Sequence, residues 1–184
     1  QIFSAPLVPG PTLTLTGDHG DPPRFELTAD GARVVYLDTT FGPTHQVYSA
    51  PIDGSAPPVI LNQPLAANES VGIYYSYLYW HHRPFVISPD SASVVFVANS
   101  EANGTFRLYR APADGSAAAG LLAEWPFVLD PFNKDGESVG AFDIDPRGKR
   151  VVYQTGDRGQ PYSLPLDGSG PAVELTKNST PGRG

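Results

Sequence analysis

The sequence of 184 residues contains no cysteine. This absence excludes a disulfide framework, a thiolate zinc site and a cysteine nucleophile. Methionine is also missing, even at position 1, so we expect a processed product or a piece of a longer protein. No apolar run approaches the length of a membrane span, and the sequence shows no signal peptide.

Positive charge is scarce as well. Lys and Arg together number 12 against 19 Asp and Glu, which gives a net charge of -7. Binding to a nucleic-acid backbone depends on clustered cations, and the sequence has no basic stripe. It therefore predicts no nucleic-acid partner.

Turn-forming residues and apolar residues are both plentiful. The 19 Gly and 20 Pro indicate many turns. Hydrophobic residues make up 40% of the chain and aromatic residues 11%, which is enough to build a core. The length fits one domain or part of one.

The sequence repeats itself at offsets of 60 and then 57 residues. Each copy begins with Phe, has Leu or Ile two residues later, continues through a polar turn and reaches Val-Val-aromatic, in residues 25–36, 85–96 and 142–153. A second echo ends in Asp-Gly-Ser each time, in residues 47–55, 108–116 and 162–169. Residues 1–6 match residues 46–51, so the chain opens with the second half of a repeat.

Each repeat contains four short apolar runs separated by turn residues, which predicts four strands, A to D. The C–D turn carries Asp-Gly three times, a strong hairpin signal. Strand B is apolar at successive positions, as in residues 33–37, which is typical of a strand covered on both faces. A β-sandwich is the alternative, but a sandwich does not need the same four-strand pattern three times.

The predicted fold is therefore all-β, a β-propeller of four-stranded antiparallel blades. The chain supplies three and a half blades as a single propeller segment. Its divisions are a half-blade of strands C and D (1–24), a blade with a long loop (25–84), a second blade with a long loop (85–141) and a third blade (142–184).

The repeat resembles that of the TolB-type propeller family across residues 25–176. Ser88-Pro89-Asp90 and Asp145-Pro146-Arg147-Gly148, each leading into Val-Val-aromatic, resemble its Ser-Pro-Asp-Gly turn and following strand. Leu108-Tyr109 and Asp114-Gly115 resemble its later Leu-Tyr strand and Asp-Gly hairpin. Two turn positions depart from the family, where Ala29 replaces Pro and Ser91 replaces Gly.

The resemblance implies a ring of six to eight blades, often extracytoplasmic and usually a binding module. Similar propellers precede the hydrolase domain of prolyl-oligopeptidase-like peptidases. An open arc of three and a half blades would leave apolar faces and strand edges exposed. We therefore expect either the remainder of the propeller elsewhere in a longer protein or self-association between chains.

The connection from residue 62 to residue 84 is long and concentrates aromatic residues. Rigid aromatic side chains with polar tips suit a platform for a peptide or a sugar ring, and the candidate binding residues are Tyr74, Tyr75, Tyr77, Tyr79, Trp80, His81 and His82. The alternative is an insert that packs on the propeller or on a neighbour. Adjacent histidines on a strand point in different directions, so we predict no metal site there.

The connection 123–141 carries two weak motifs. Asp130, Asn133, Asp135 and Glu137 resemble a calcium loop only loosely, and a solvated acidic turn is the alternative. Ser138 lies in a Gly-x-Ser-x-Gly pattern, but a polar loop precedes it and every histidine comes before it in the chain, the reverse of the order that this motif needs. We therefore predict no catalytic residue, no cofactor and no enzyme activity.

Three Asn-x-Ser/Thr patterns are candidate glycosylation sites, at Asn68, Asn103 and Asn178. All three fall in predicted loops, as the modification requires. Together with the missing cysteine and the few lysines, they favour an extracytoplasmic location: periplasmic, cell-surface or secreted.

The sequence favours a non-catalytic propeller that binds a protein or peptide, or alternatively a carbohydrate, through rim loops 68–84 and 123–141. A second hypothesis is the propeller portion of a prolyl-oligopeptidase-like peptidase with its catalytic domain elsewhere. A third is a subunit of a surface filament or layer.

Overall fold

The computed structural model describes residues 1–5, 10–15, 24–38, 45–62, 69–71, 83–100, 105–126, 141–155 and 160–176. The regular structure within these ranges is entirely β. Its fifteen strands are β1 (Phe3–Ser4), β2 (Leu13–Thr14), β3 (Phe25–Leu27), β4 (Arg33–Asp38), β5 (Gln46–Pro51), β6 (Val59–Ile60), β7 (Glu69–Val71), β8 (Phe85–Ile87), β9 (Ser93–Ser100), β10 (Thr105–Pro112), β11 (Gly120–Pro126), β12 (Phe142–Ile144), β13 (Arg150–Thr155), β14 (Gln160–Pro165) and β15 (Val173–Glu174).

The strands form four antiparallel sheets in chain order. The half-blade is β1–β2, the first blade is β3–β4–β5–β6, and the third blade is β12–β13–β14–β15. The second blade is β11–β10–β9, with β8 and β7 both paired to β9. The prediction of three and a half antiparallel propeller blades, with strands A to D in each whole blade, is confirmed.

Strand A of the second blade is split, which the sequence did not predict. Val71 of β7 lies opposite Ala98 of β9, and Phe85 of β8 lies opposite Phe96. Pro84 accepts a hydrogen bond from the Val97 N–H at 3.3 Å, so β7 and β8 follow one another along the same edge of β9. The β9 strand has eight residues, whereas β4 and β13 have six each. Its extra N–H and C=O groups need a partner, and β7 supplies it.

Apolar layers lie between successive blades. The two valines of strand B point into different layers, as the strand period of two requires. Val34 packs toward the half-blade and Val35 toward the second blade, and both are buried. In the second blade Val94 and Val95 divide in the same way. The prediction that strand B is covered on both faces is thus confirmed for these two blades.

A stacked aromatic pair recurs between strands B and C of each whole blade. The ring centroids of Tyr36 and Tyr48 lie 5.4 Å apart, and the corresponding pairs are Phe96 with Tyr109 at 5.5 Å and Tyr153 with Tyr162 at 5.6 Å. The repeated pair fixes the same cross-strand register in all three blades.

Candidate functional site

The residues that the sequence singled out for binding lie outside the described ranges. These are Tyr74, Tyr75, Tyr77, Tyr79, Trp80, His81 and His82, the three acceptor asparagines Asn68, Asn103 and Asn178, and the motif residues of the third insert, 130–138. The two points from which the aromatic insert departs and to which it returns are described. They are Val71 at the end of β7 and Arg83 before β8.

The first of these points is tied to two blades at once. The Val71 N–H donates to the His45 carbonyl at 3.0 Å, and the His45 N–H donates to Ser70 Oγ at 2.8 Å. On its other side, β7 pairs with β9. Both Val71 and Ser70 are buried. The insert therefore departs from a rigid position between the first and second blades.

The hydroxyl of Ser70 belongs to the acceptor pattern that begins at Asn68. The sequence placed that whole pattern in a loop, but Ser70 lies in β7, is 5% exposed, and accepts the His45 N–H. Thr105 of the second pattern likewise begins strand β10. Two of the three acceptor patterns therefore run into a strand, because β7 and β10 both pair with the long β9.

The return point of the insert opens onto a cleft of about 320 Å³. The cleft is lined by residues at the start of strand A in two neighbouring blades, which are Arg24, Phe25, Glu26, Arg83, Pro84 and Phe85. Phe85 is 2% exposed, whereas Phe25 is 56% exposed. The cleft is thus lined by two arginines, one glutamate and an accessible aromatic ring.

This arrangement suits a ligand that carries both a carboxylate and an apolar group. Guanidinium groups bind carboxylates with paired, charge-assisted hydrogen bonds, and aromatic rings provide rigid apolar contact. Arg24 and Arg83 are two of few cations in a chain of net charge -7. Their occurrence at one cleft sets it apart from the acidic remainder.

No local pattern indicated the two arginines, because they lie far apart in the chain. The repeat offset holds the signal that would have found them. Leu37 N–H donates to the Arg24 carbonyl, as Val97 N–H does to the Pro84 carbonyl, so Arg24 and Pro84 are equivalent positions. Aligning the first two repeats therefore places Arg83 one position from the equivalent of Arg24.

His45 is a titratable residue beside the base of the insert that the sequence did not indicate. It is half-buried beside β7, and burial lowers the pKa of its imidazole, while the nearby carboxylate of Asp38 acts in the opposite direction. Burial, assisted by Tyr48 and Asp38, raises the pKa of Tyr36 to about 12. Both shifts favour neutral side chains at this end of the first blade.

Within the described ranges, no three histidine, aspartate or glutamate side chains meet in a way that could hold a metal ion. None of the described segments forms a helix of the length and apolarity that crossing a bilayer requires.

No family model matches the sequence, and no curated protein matches it. Several solved structures are similar in fold. TolB from Acinetobacter baumannii aligns with a TM-score of 0.53 at 17% identity, over 86% of this chain and 33% of that one. A chain of a nidogen/laminin complex aligns with a TM-score of 0.53 at 12% identity, over 90% and 52%. A putative TolB from Agrobacterium tumefaciens aligns with a TM-score of 0.49 at 18% identity, over 82% and 44%.

The chain therefore spans between a third and about half of the length of these structures. At such identities the likeness concerns the fold alone. It agrees with the blade topology and with the repeat: the chain has a TolB-like β-propeller fold.

Proposed function

We propose that this chain is a non-catalytic binding segment of an extracytoplasmic β-propeller, and that its partner is a peptide or a protein loop. The observation that carries the proposal is the placement of the aromatic insert. It departs from a strand fixed to two blades and returns at a cleft that holds two arginines and an exposed aromatic ring. A binding loop needs a rigid base of this kind.

The chemistry of the cleft narrows the partner. A segment with an acidic side chain next to an aromatic or aliphatic one would place its carboxylate between Arg24 and Arg83 and its apolar group on Phe25. The seven aromatic and histidine residues of the insert would then extend the contact. One similar structure is a nidogen/laminin complex, in which a propeller takes part in a protein assembly.

The location is part of the same proposal. The three candidate acceptor asparagines and the likeness to TolB support a protein that acts outside the cytoplasm. Protein secreted from a glycosylating host should lose mass on treatment with an asparagine-specific deglycosidase. An unchanged mass would remove the glycosylation argument for that location.

Binding can be tested with an array of ten-residue peptides that pair one Asp or Glu with one Phe, Tyr or Leu. We expect acidic aromatic peptides to bind, and Arg24→Gln and Arg83→Gln each to weaken binding about tenfold. A Tyr79→Ala/Trp80→Ala double variant should abolish binding while the fold persists. Arg147→Gln, which removes an exposed arginine from a distant turn, is the matched control and should change nothing.

Two results would contradict the proposal. One is an array in which no acidic aromatic peptide binds above its uncharged counterpart. The other is an equal loss of binding in the Arg147 control and in the cleft variants. Such a result would mean that the arginines affect binding through the net charge of the protein and not through contacts in the cleft. Selective binding of an oligosaccharide array instead would identify the insert as a sugar platform.

A further inference from the structure

The turn between strands C and D of each blade packs on the last strand of the blade before it. A Cβ atom placed on Gly54 would lie 3.3 Å from Leu13 Cδ1, and one on Gly115 would lie 2.7 Å from Val59 Cγ2. At the next boundary, a Cβ atom on Gly168 would lie 3.6 Å from Leu122 Cδ2. All three glycines have φ near +70°, so the backbone of this turn favours glycine, and at Gly115 the close approach requires it as well.

An arginine–serine pair also recurs between strands B and C. The Nε of Arg33 donates to Ser49 Oγ at 2.8 Å, and the Nε of Arg150 donates to Ser163 Oγ at 2.7 Å. In the second blade the arginine lies on strand C and the serine on strand B, the reverse of the other two blades. There the Nε of Arg110 donates to Ser93 Oγ at 2.9 Å. A guanidinium is thus kept at one place in all three blades even though the strand that carries it changes.

That guanidinium acts on the next blade. The Ser116 hydrogen bonds lower the pKa of Asp114 first, and the positive charge of Arg33, one blade earlier, lowers it further. In the same way, the Ser169 hydrogen bonds and then the charge of Arg110 lower the pKa of Asp167. Each of these aspartates belongs to the Asp-Gly turn whose glycine packs on the preceding blade.

The third blade presents the same surface to solvent. Val152 is 38% exposed and Leu175 is 54% exposed, whereas their equivalents in the first blade, Val35 and Leu61, are buried. Val173, the equivalent of Val59, is also 54% exposed. Arg150 is exposed, while Arg33 and Arg110, which a following blade covers, are half-buried.

We propose that this outer face of the third blade, defined by Arg150, Val152, Val173 and Leu175, docks a further blade of the same repeat. The C–D turn of that blade carries Asp-Gly, with the carboxylate facing Arg150 and the glycine against Val173. The inference rests on the proposed role of the chain as a segment of a propeller, but it concerns a different surface from the peptide cleft.

Charge distinguishes this occupant from a second copy of the chain. A copy stacked head to tail would present its half-blade, whose C–D connection, residues 5–12, contains no acidic residue. Such a copy would bury the valines but leave Arg150 without a carboxylate. An Asp-Gly blade supplies both contacts, as at the two boundaries already within the chain.

The test extends the full chain with a copy of residues 85–126 placed directly after Gly184. Residues 177–184 then form an eight-residue connection, equal in length to residues 17–24 between the half-blade and the first blade. The readout is hydrogen exchange at the Leu175 N–H, which donates to the Pro161 carbonyl at 2.9 Å. We expect the extension to slow this exchange by about tenfold or more, because docking covers strand β15.

The aspartate is tested by a double-mutant cycle. In the extended chain, Asp114→Asn in the appended copy should speed exchange at the Leu175 N–H by about threefold to tenfold, and Arg150→Gln should do the same. The two changes together should speed it no more than either change alone. Because Arg150 also donates to Ser163 in its own blade, Arg150→Gln in the unextended chain gives the baseline change in exchange at Leu175, and its effect in the extended chain should exceed that baseline by about threefold or more. Full additivity of the two changes would overturn the pairing of Arg150 with the aspartate.

Exchange at the amides of the appended strands reports whether the extra blade itself folds. If the appended blade does not fold, a copy of residues 142–176 is appended in its place, and Asp167 then supplies the aspartate of the Asp-Gly turn. Failure of both extensions to protect Leu175 would overturn the proposal. So would dimerisation of the unextended chain that Val173→Arg abolishes, since the face would then take a second copy. Neither result would alter peptide binding at the cleft.

Discussion

Arg110 on strand C and Ser93 on strand B form the same hydrogen-bonded pair as Arg33 and Ser49 of the first blade, but with the two strands exchanged. Their hydrogen bond, 2.9 Å from Nε to Oγ, joins strands C and B, and the equivalent bond from Arg33 to Ser49 joins B and C. Pairing confirms the equivalence, because Ser49 lies opposite Val35, two residues after Arg33, and Arg110 lies opposite Val95, two residues after Ser93. The structure of the blade therefore requires an arginine–serine pair at this position, and either strand can supply the arginine.

Exchanging the second pair tests this relationship. Ser93→Arg alone places a second cation beside Arg110 in a buried position and should cost about 2–3 kcal/mol. Arg110→Ser alone should cost about 1 kcal/mol, because the charged hydrogen bond is lost. The double variant recreates the arrangement of the first blade and should lie within about 1 kcal/mol of the natural protein.

Equilibrium unfolding in urea measures all three variants. Arg107→Ser is the matched control on the same strand, since it removes an exposed ion pair with Glu124 and should cost less than about 1 kcal/mol. If the double variant is as unstable as the sum of its parts, the two positions do not form an exchangeable pair.

The aromatic residue that begins strand A should matter for stability only where a preceding blade covers it. Phe25 and Phe85 hold equivalent positions, opposite Tyr36 and Phe96, but Phe25 is 56% exposed and Phe85 is 2% exposed. Phe85→Ala should therefore cost about 3–5 kcal/mol. Phe25→Ala should cost less than about 1 kcal/mol and should instead weaken peptide binding. Equal losses of unfolding free energy would contradict the burial pattern.

Ser91 tests the balance between backbone strain and a contact across a blade boundary. It has φ of 63°, where Gly31 and Gly148 stand in the other two repeats, and its hydroxyl accepts the Asp30 N–H at 3.0 Å. Ser91→Ala keeps the strained backbone and loses the hydrogen bond, so it should cost about 1 kcal/mol. Ser91→Gly loses the bond but relieves about 1 kcal/mol of strain and should be close to neutral. If thermal or urea unfolding shows that Ser91→Ala is more stable than Ser91→Gly, this account is contradicted.

His45 should make stability dependent on pH. Burial lowers its pKa in the folded protein below the ordinary value of 6.5, so the unfolded chain binds the proton more strongly. Its contribution to stability is therefore present above about pH 6.5 and is lost as the pH falls toward the folded pKa. In urea unfolding between pH 8 and pH 5, His45→Gln should show a shallower loss of stability than the natural protein. Identical slopes would show that the pKa of His45 is the same in the folded and unfolded states and would contradict the lowered pKa.

Much of the blade follows from sequence because its signals are local. The left-handed turns at Gly54, Gly115 and Gly168 come from Asp-Gly pairs, whose short side chain and missing Cβ favour that geometry wherever the pair occurs. The paired valines of strand B predict burial on both faces because a strand alternates its side chains. Regular repetition of these signals was sufficient for the propeller fold and the number of blades.

The strand β7 could not be found in this way. Glu69, Ser70 and Val71 include a single apolar residue, which is too little to predict a strand, and they become one because β9 extends two residues beyond its counterparts. The arginines of the cleft are likewise brought together by the approach of two blades and not by any local pattern.

The sequence by itself determined the blades of this protein, since turn chemistry and side-chain alternation act within a few residues of one another. Only the tertiary structure decided which copies of a residue are buried. Phe25 and Phe85, or Val152 and Val35, have similar local sequences, and yet one of each pair is exposed and the other is covered. Burial depends on the blade that lies alongside, and no property of a single repeat encodes its neighbour.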